Sequence, residues 1–476
     1  MRAMRVTVVV VGAGQAGLAM SCHLAGAGLD HVVLERGEVA SSWRTERWDS
    51  LRLLTPNWMC RLPGYQYEGP DRDGYQTAAE TAGWLEVYAG RTGAPVRTRV
   101  TVRRVRRMAG GFEVATDDGC YLAAAVVVAA GASSEPRVPA VAAELPGRIN
   151  QVTAMRYRSP AHLDATGDVL VVGASASGVQ IADELRRSGR SVTLAVGEHV
   201  RLPRTYRGRD IYRWLATVGQ LDERYDEVED IERARRHASV QLVGDPTRMP
   251  LDLNALSDAG VDLVGRLMRV SGAVAQCSGG LASLTANADL KQARLLQRID
   301  DFVTEHGLSG EVPGPDRPAP TRLGAVATEI ELERFATVIW ATGYRPSYPW
   351  LDPAAFNRRG RVAHDGGVSP VPGLYVLGLP FLRRRRSNLI AGVGDDAAEL
   401  LAHLLAYLHG AGASRLERRS RHSVVERAGE QRVPHSMDHC IDGTRRTDRR
   451  QFSGTDLAQR ALELVTRGQG HVAQPR

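Results

Sequence analysis

Two stretches of the chain share one rhythm: an unbroken apolar run, a glycine-rich turn, then small and apolar residues at helical spacing. The first runs through Val8-Val9-Val10-Val11 into Gly12-Ala13-Gly14-Gln15-Ala16-Gly17. The second runs through Val169-Leu170-Val171-Val172 into Gly173-Ala174-Ser175-Ala176-Ser177-Gly178. A short run that is apolar at every position predicts a strand buried on both faces, as in a parallel sheet. The pattern predicts a strand over 6–11, a helix over 15–27 and a strand over 31–35, together one βαβ unit, with a second unit over 168–196. Further buried strands are predicted over 123–130 and 335–341, and shorter ones over 98–105, 111–116, 260–267 and 374–379. Helices are predicted over 225–237, 290–306 and 395–408. Residues 40–80 lack a period and read as loop lying over a ligand.

This order predicts an α/β fold of two Rossmann-type dinucleotide-binding domains. One is discontinuous (1–160 and 326–410), and the other is inserted into it (161–325). Beyond Gly410 the period decays, so 411–476 is expected to be an Arg-rich tail, disordered or loosely docked.

Composition narrows the class. The chain has 476 residues and a net charge of +7, which invites a nucleic-acid reading. Residues 409–476 carry thirteen Arg against eight Asp and Glu, so five of those seven charges belong to the tail. Lys291 is the single lysine among 61 basic residues, a bias of the whole chain and not a basic patch. No aromatic residues interleave with the tail's arginines, so no nucleic-acid partner is expected. The five cysteines (Cys22, Cys60, Cys120, Cys277, Cys440) form no paired motif, and neither a zinc site nor a dithiol centre is expected. No apolar run reaches membrane length, and the N-terminal run ends in a glycine turn and not in a cleavage site. A soluble cytoplasmic protein with no membrane partner and no metal is the expectation.

The two turns carry the chemistry. In Gly12-x-Gly14-x-x-Gly17 the first glycine permits the tight turn, the second lets backbone approach a pyrophosphate, and the third lets helix pack on strand. Glu35 follows Gly17 by 18 residues, placed to take ribose hydroxyls. In the second turn Ser175 replaces the middle glycine, and the strand after it ends in Gly197, with no acid to repel a 2′-phosphate. Arg201, Arg204 and Arg207 follow within one loop and are the expected phosphate clamp, favouring NADPH over NADH. Two dinucleotides in one chain imply electron transfer between them. Neither a G-x-S-x-G hydrolase turn nor an H-E-x-x-H metal motif occurs.

Residues 6 to about 408 resemble a flavin-containing monooxygenase of the bacterial flavoprotein oxidoreductase group. Besides the turns, the carriers are Ser41-Ser42-Trp43-Arg44, the segment Arg47–Pro56, Val128-Ala129-Ala130-Gly131, Ala341-Thr342-Gly343-Tyr344 and Gly392-Val393-Gly394-Asp395-Asp396. The resemblance implies FAD on the first turn, held by Gly12, Gly14, Gln15, Ala16, Gly17, Glu35, Arg36, Ser42, Trp43, Leu54, Thr55, Val102, Ala130, Gly131 and Asp395, the last opening a helix aimed at the flavin. It implies NADPH on the second, held by Gly173, Ser175, Ser177, Gly178, Arg201, Arg204, Ala341, Thr342 and Gly343. The implied activity inserts one oxygen atom from O2 into a small organic substrate through a flavin C4a-(hydro)peroxide, with Thr55 as the flavin-side catalytic candidate. Several positions depart from the family: Leu54 stands where it has Asn, and Gly147, Ile149 and Thr153 stand where its signature has Phe, Gly and His, with only Tyr157 fitting. They keep open an NADPH oxidase or flavin reductase of the same fold, or a redox-sensing flavoprotein. The run Arg383–Arg386 is expected to be a solvated or NADP-facing loop.

Overall fold

The computed structural model describes residues 3–164 and 166–429, with side chains described as far as Gly410. Its first sheet is built around the first valine run. Strand β1 (Met4–Val11) lies parallel to β2 (His31–Leu34), and β2 in turn pairs in parallel with the short β3 (Val96–Arg97). Next come β4 (Val102–Met108), β5 (Gly111–Thr116) and β6 (Cys120–Val128), an antiparallel meander whose last strand is parallel to β1. The order across the sheet is β3-β2-β1-β6-β5-β4. Val8, Val9 and Val10 have no solvent exposure at all. β-Branched side chains on both faces of a central strand pack well against helices on either side, which is why this run forms a strand and not a helix.

The second sheet is parallel throughout. It contains β7 (Asn150–Thr153), β8 (Asp168–Val172), β9 (Val192–Ala195), β10 (Asp262–Val264) and β11 (Phe335–Trp340), in the order β7-β11-β8-β9-β10. The chain then returns to the first sheet, where β12 (Leu374–Val376) lies parallel to the end of β6. Residues 150–153 and 335–340, expected on the first-domain side of the boundaries, therefore pair within the second sheet. Periodicity finds a buried strand but not the sheet it joins.

Six helices matter to the site: α1 (Gln15–Gly26), α2 (Ala78–Thr92), α3 (Ala176–Arg187), α4 (Ile211–Thr217), α5 (Leu281–Glu305) and α6 (Ile390–Gly429). Helix α2 follows a stretch read as loop. A capping box starts it: Glu80 N donates to Thr77 Oγ1 at 3.1 Å, and Thr77 N donates to Glu80 Oε2 at 2.7 Å. The helix expected over 225–237 shrinks to Ile231–Ala234. Charged pairs four apart stabilise a helix only weakly, and here Glu232 turns aside to Arg361. Helix α6 begins five residues before Asp395 and runs on to Gly429. The remainder of the expected tail, 430–476, lies outside the described residues. No helix among the described residues is long and apolar enough to cross a membrane.

Candidate functional site

The first turn is shaped by backbone contact. Gly12 has φ +106°, a conformation that L side chains rarely adopt, and a Cβ there would come 2.6 Å from the Ala129 carbonyl oxygen. A Cβ on Gly17 would come 1.8 Å from the Gly12 carbonyl oxygen, so this glycine closes the helix onto the strand. Gly14 differs from both: a Cβ there meets no protein atom within 4 Å. The space in front of it is a cradle that fits a phosphate at a helix N-terminus. Glu35 fixes the turn from the end of β2, its carboxylate accepting from Ala13 N at 2.8 Å and from Gly37 N at 2.9 Å.

A cavity of about 580 Å³ opens from this turn. Gly12, Gly14, Gln15, Ala16, Glu35, Arg36, Ser42, Trp43, Leu54, Thr55, Val102, Ala130 and Gly131 all line it. Gly17 lies beneath the turn and does not. Asp395 does not line it either: its carboxylate pairs with Arg386 at 2.6 Å, one turn inside α6. Because that helix starts early, Asn388, Leu389 and Ile390 bring its N-terminus to the cavity instead. A further lining residue, Tyr212, comes from α4, and no motif pointed to it.

The second turn repeats the first. Gly173 has φ +108°, and a Cβ there would come 2.5 Å from the Ala341 carbonyl oxygen; a Cβ on Gly178 would come 1.7 Å from the Gly173 carbonyl oxygen. Ser175, in the middle slot, has φ −84° and ψ −172°, against −82° and −173° for Gly14. A serine thus keeps the backbone path of the glycine it replaces. The hydroxyl of Ser177 meets that of Tyr344, and Thr342 Oγ1 donates to the Arg137 carbonyl. Of the 341–343 segment, Ala341 packs against the second turn, and Gly343 accepts from Arg137 N at 2.8 Å.

The arginine clamp expected after this turn is not there. Arg201 is 3% exposed and is held by Asp252 at 2.6 Å and Asp289 at 2.7 Å. Arg204 is 2% exposed and is held by Asp210 at 2.7 Å. Arg207 pairs with Asp300 at 2.6 Å. Each guanidinium neutralises a largely buried carboxylate, and a buried paired arginine cannot turn to a phosphate without leaving that carboxylate uncompensated. Arg266, by contrast, is exposed and makes no ion pair among the described residues. It follows the end of β10, and its guanidinium lies 3.7 Å from where a Cβ on Gly197 would stand. It escaped the sequence reading because it belongs to a neighbouring strand: only the sheet order sets β10 beside β9.

Arg383–Arg386 is likewise engaged with acids. Arg383 reaches Glu399 at 2.8 Å, Arg384 reaches Asp396 at 3.0 Å, Arg385 meets Glu223, and Arg386 reaches Asp222 at 2.6 Å. The run is thus an ion-paired seam and not a free basic loop. Burial pushes the Cys60 thiol up to about 12, so it carries no thiolate for redox exchange at neutral pH. No cluster of three or more potential metal ligands occurs among the described residues.

Comparison with known proteins bears on this geometry. Residues 9–241 match the family model described as pyridine nucleotide-disulphide oxidoreductase. The chain is similar to an "Uncharacterized oxidoreductase CzcO-like" of Geobacillus kaustophilus, 32% identical over 84% of this chain and 98% of the relative. It is also similar to "Indole-3-pyruvate monooxygenase YUCCA1" of Oryza sativa subsp. japonica, 31% identical over 78% of this chain and 86% of the relative. In fold it is similar to a flavin-containing monooxygenase from Stenotrophomonas maltophilia, with TM-score 0.60 and 22% identity over 85% of this chain and 99% of that one.

Proposed function

This chain belongs to the flavin-containing monooxygenase family of oxidoreductases, and from that premise we propose that it uses NADPH and O2 to place one oxygen atom on a small organic substrate. FAD and NADPH are its cofactors, and it is an enzyme of this class. The observation that carries the proposal is the cavity itself. It runs from the Gly14 cradle and Glu35 to the wall formed by Leu54, Thr55 and the N-terminus of α6.

When bound, the flavin supplies the redox chemistry, accepting a hydride from NADPH and activating O2. The protein's part is to bind, orient and shield. In this reading the backbone of Gly14, Gln15 and Ala16 faces the pyrophosphate, and Glu35 takes ribose hydroxyls while two backbone N–H groups keep it oriented. The N-terminus of α6 offers partial positive charge to a flavin that gains negative charge on reduction. Thr55, buried in the cavity wall, presents a hydroxyl on the same side. At the second turn the α3 N-terminus faces the phosphates of NADPH, and Arg266 over Gly197 takes the 2′-phosphate. A cytoplasmic site of action, where NADPH is supplied, belongs to the same proposal.

The test is isotopic. FAD-loaded protein is given NADPH and 18O2 with a panel of organic sulfides, amines, ketones and indole-3-pyruvate, the last because it names the rice relative's reaction. The proposal expects one 18O atom in a product, measured by mass spectrometry. Stoichiometric labelled hydrogen peroxide with no labelled product across the panel would replace it with the oxidase reading, which Leu54 in the cavity wall and Thr153 Oγ1, buried with no partner among the described residues, favour.

A further inference from the structure

Tyr212 belongs to neither glycine turn, yet it lines the cavity that opens from the first. It is 7% exposed. It shares a hydrophobic cluster with Leu54, Leu389 and Ala391, and Leu54 and Leu389 line the same cavity.

The ring is held from several directions. The Arg204 guanidinium carbon lies 5.6 Å from its centroid and 4.9 Å from that of Tyr75. Arg204 Nη1 donates to the Leu54 carbonyl at 2.8 Å, and Nη2 donates to Asp210 Oδ1 at 2.7 Å. Asp210 also accepts from Tyr212 N at 2.8 Å, capping α4, and from the Tyr75 hydroxyl at 2.6 Å. One buried ion pair thus ties together the backbone of Tyr212, its ring and the carbonyl of Leu54. These shared bonds hold the members of the cluster together, with Arg204 Nε left without a hydrogen-bond partner among the described residues.

The Tyr212 hydroxyl stands apart from it, engaged in no hydrogen bond among the described residues. It is the free donor of a residue that lines the cavity. Burial pushes its pKa up to about 12, against the opposing pull of Arg204, so the proton stays on through neutral pH.

We propose that the Tyr212 hydroxyl donates a hydrogen bond to the ring system of the bound flavin, which makes it a catalytic residue contributed by the segment between β9 and β10. The inference rests on the FAD reading above. It assigns Arg204, Asp210 and Tyr75 as the positioning residues that aim it. A neutral donor favours the more negative, reduced flavin over the oxidised one.

The test is Tyr212→Phe, measured without NADPH. Flavin is reduced stepwise by light under anaerobic conditions, and its midpoint potential is read against a reference dye. FAD stoichiometry should match that of the parent protein. Reduced flavin should be held about tenfold less tightly relative to oxidised flavin, the size expected for one charge-assisted hydrogen bond. The unfolding midpoint of the apoprotein should not move, because the hydroxyl has no protein partner to lose. An unchanged potential would overturn the proposal. So would a fall in apoprotein stability, which would show that the hydroxyl serves the fold. A parent protein that binds FAD but is not reduced by NADPH would sink the functional reading instead, and the light-driven titration would still decide the role of Tyr212.

Discussion

Gly12 and Gly14 sit two residues apart in one turn and fail differently when given a side chain. Gly12→Val sets a Cβ 2.6 Å from the Ala129 carbonyl oxygen at a φ of +106°, so it should lower the stability of the apoprotein as well as remove FAD. The Cβ of Gly14→Val meets no protein atom within 4 Å, so the apoprotein should unfold near the parent temperature and yet be colourless. Calorimetry with a visible spectrum checks both; a yellow Gly14→Val protein would contradict the cradle. Both glycines were legible in the sequence, because their spacing between an apolar run and a helix is itself the signal. The arginines were not. Arg201 and Arg204 looked like a phosphate clamp from their spacing, but their partners Asp252, Asp289 and Asp210 become visible only in three dimensions. Arg204→Ala leaves Asp210 buried and unpaired and should cost about 3–5 kcal/mol in chemical denaturation. Arg266→Ala should raise the KM for NADPH about tenfold and leave that for NADH unchanged; equal changes for both would remove Arg266 from the 2′-phosphate.

Elements with a strong period were readable, and those fixed by capping or tertiary contact were not. The two valine runs define β1 and β8 to within two residues, since an all-apolar run before a glycine turn has few other outcomes. Helix α2 buries Ala78, Thr81, Ala82, Leu85, Tyr88 and Ala89 at helical spacing, but Gly83, Gly90 and the exposed Val87 blur that stripe in the sequence. Thr77→Ala should remove the side-chain arm of its capping box, keep the arm from the residue 77 N–H to Glu80, and destabilise the protein by about 1 kcal/mol, measured by urea denaturation. A change within error would mean that burial of Trp84, Leu85 and Tyr88 alone fixes where α2 begins. The start of α6 was misplaced for a related reason. Gly392 and Gly394 resemble a helix end, yet close packing requires them: a Cβ on Gly392 would come 2.0 Å from the Arg386 carbonyl oxygen. That shift exchanges Asp395 for Asn388, Leu389 and Ile390 at the cavity.

At the scale of the molecule, the sequence order disclosed two βαβ units and a return to the first. It did not disclose that β7 and β11 pair in the second sheet, because strand partnership is long-range. Electrostatics at this scale give a pH prediction. Burial, reinforced by Arg235 and Arg361 and opposed by Asp365 and Glu232, lowers the His364 pKa to about 4. The unfolded imidazole titrates near 6.5, so between these values the unfolded chain binds more protons and stability falls as the pH drops through that window. His364→Gln should flatten the unfolding midpoint between pH 6.5 and 4.5; parallel curves would contradict this. The central claim is that the two turns hold FAD and NADPH as partners in electron transfer. Its most direct measurement is anaerobic addition of NADPH to the FAD-loaded protein, followed at the visible flavin band. The account predicts complete bleaching by one equivalent of NADPH, and slower bleaching by NADH. A flavin that dithionite bleaches but NADPH leaves yellow would contradict it.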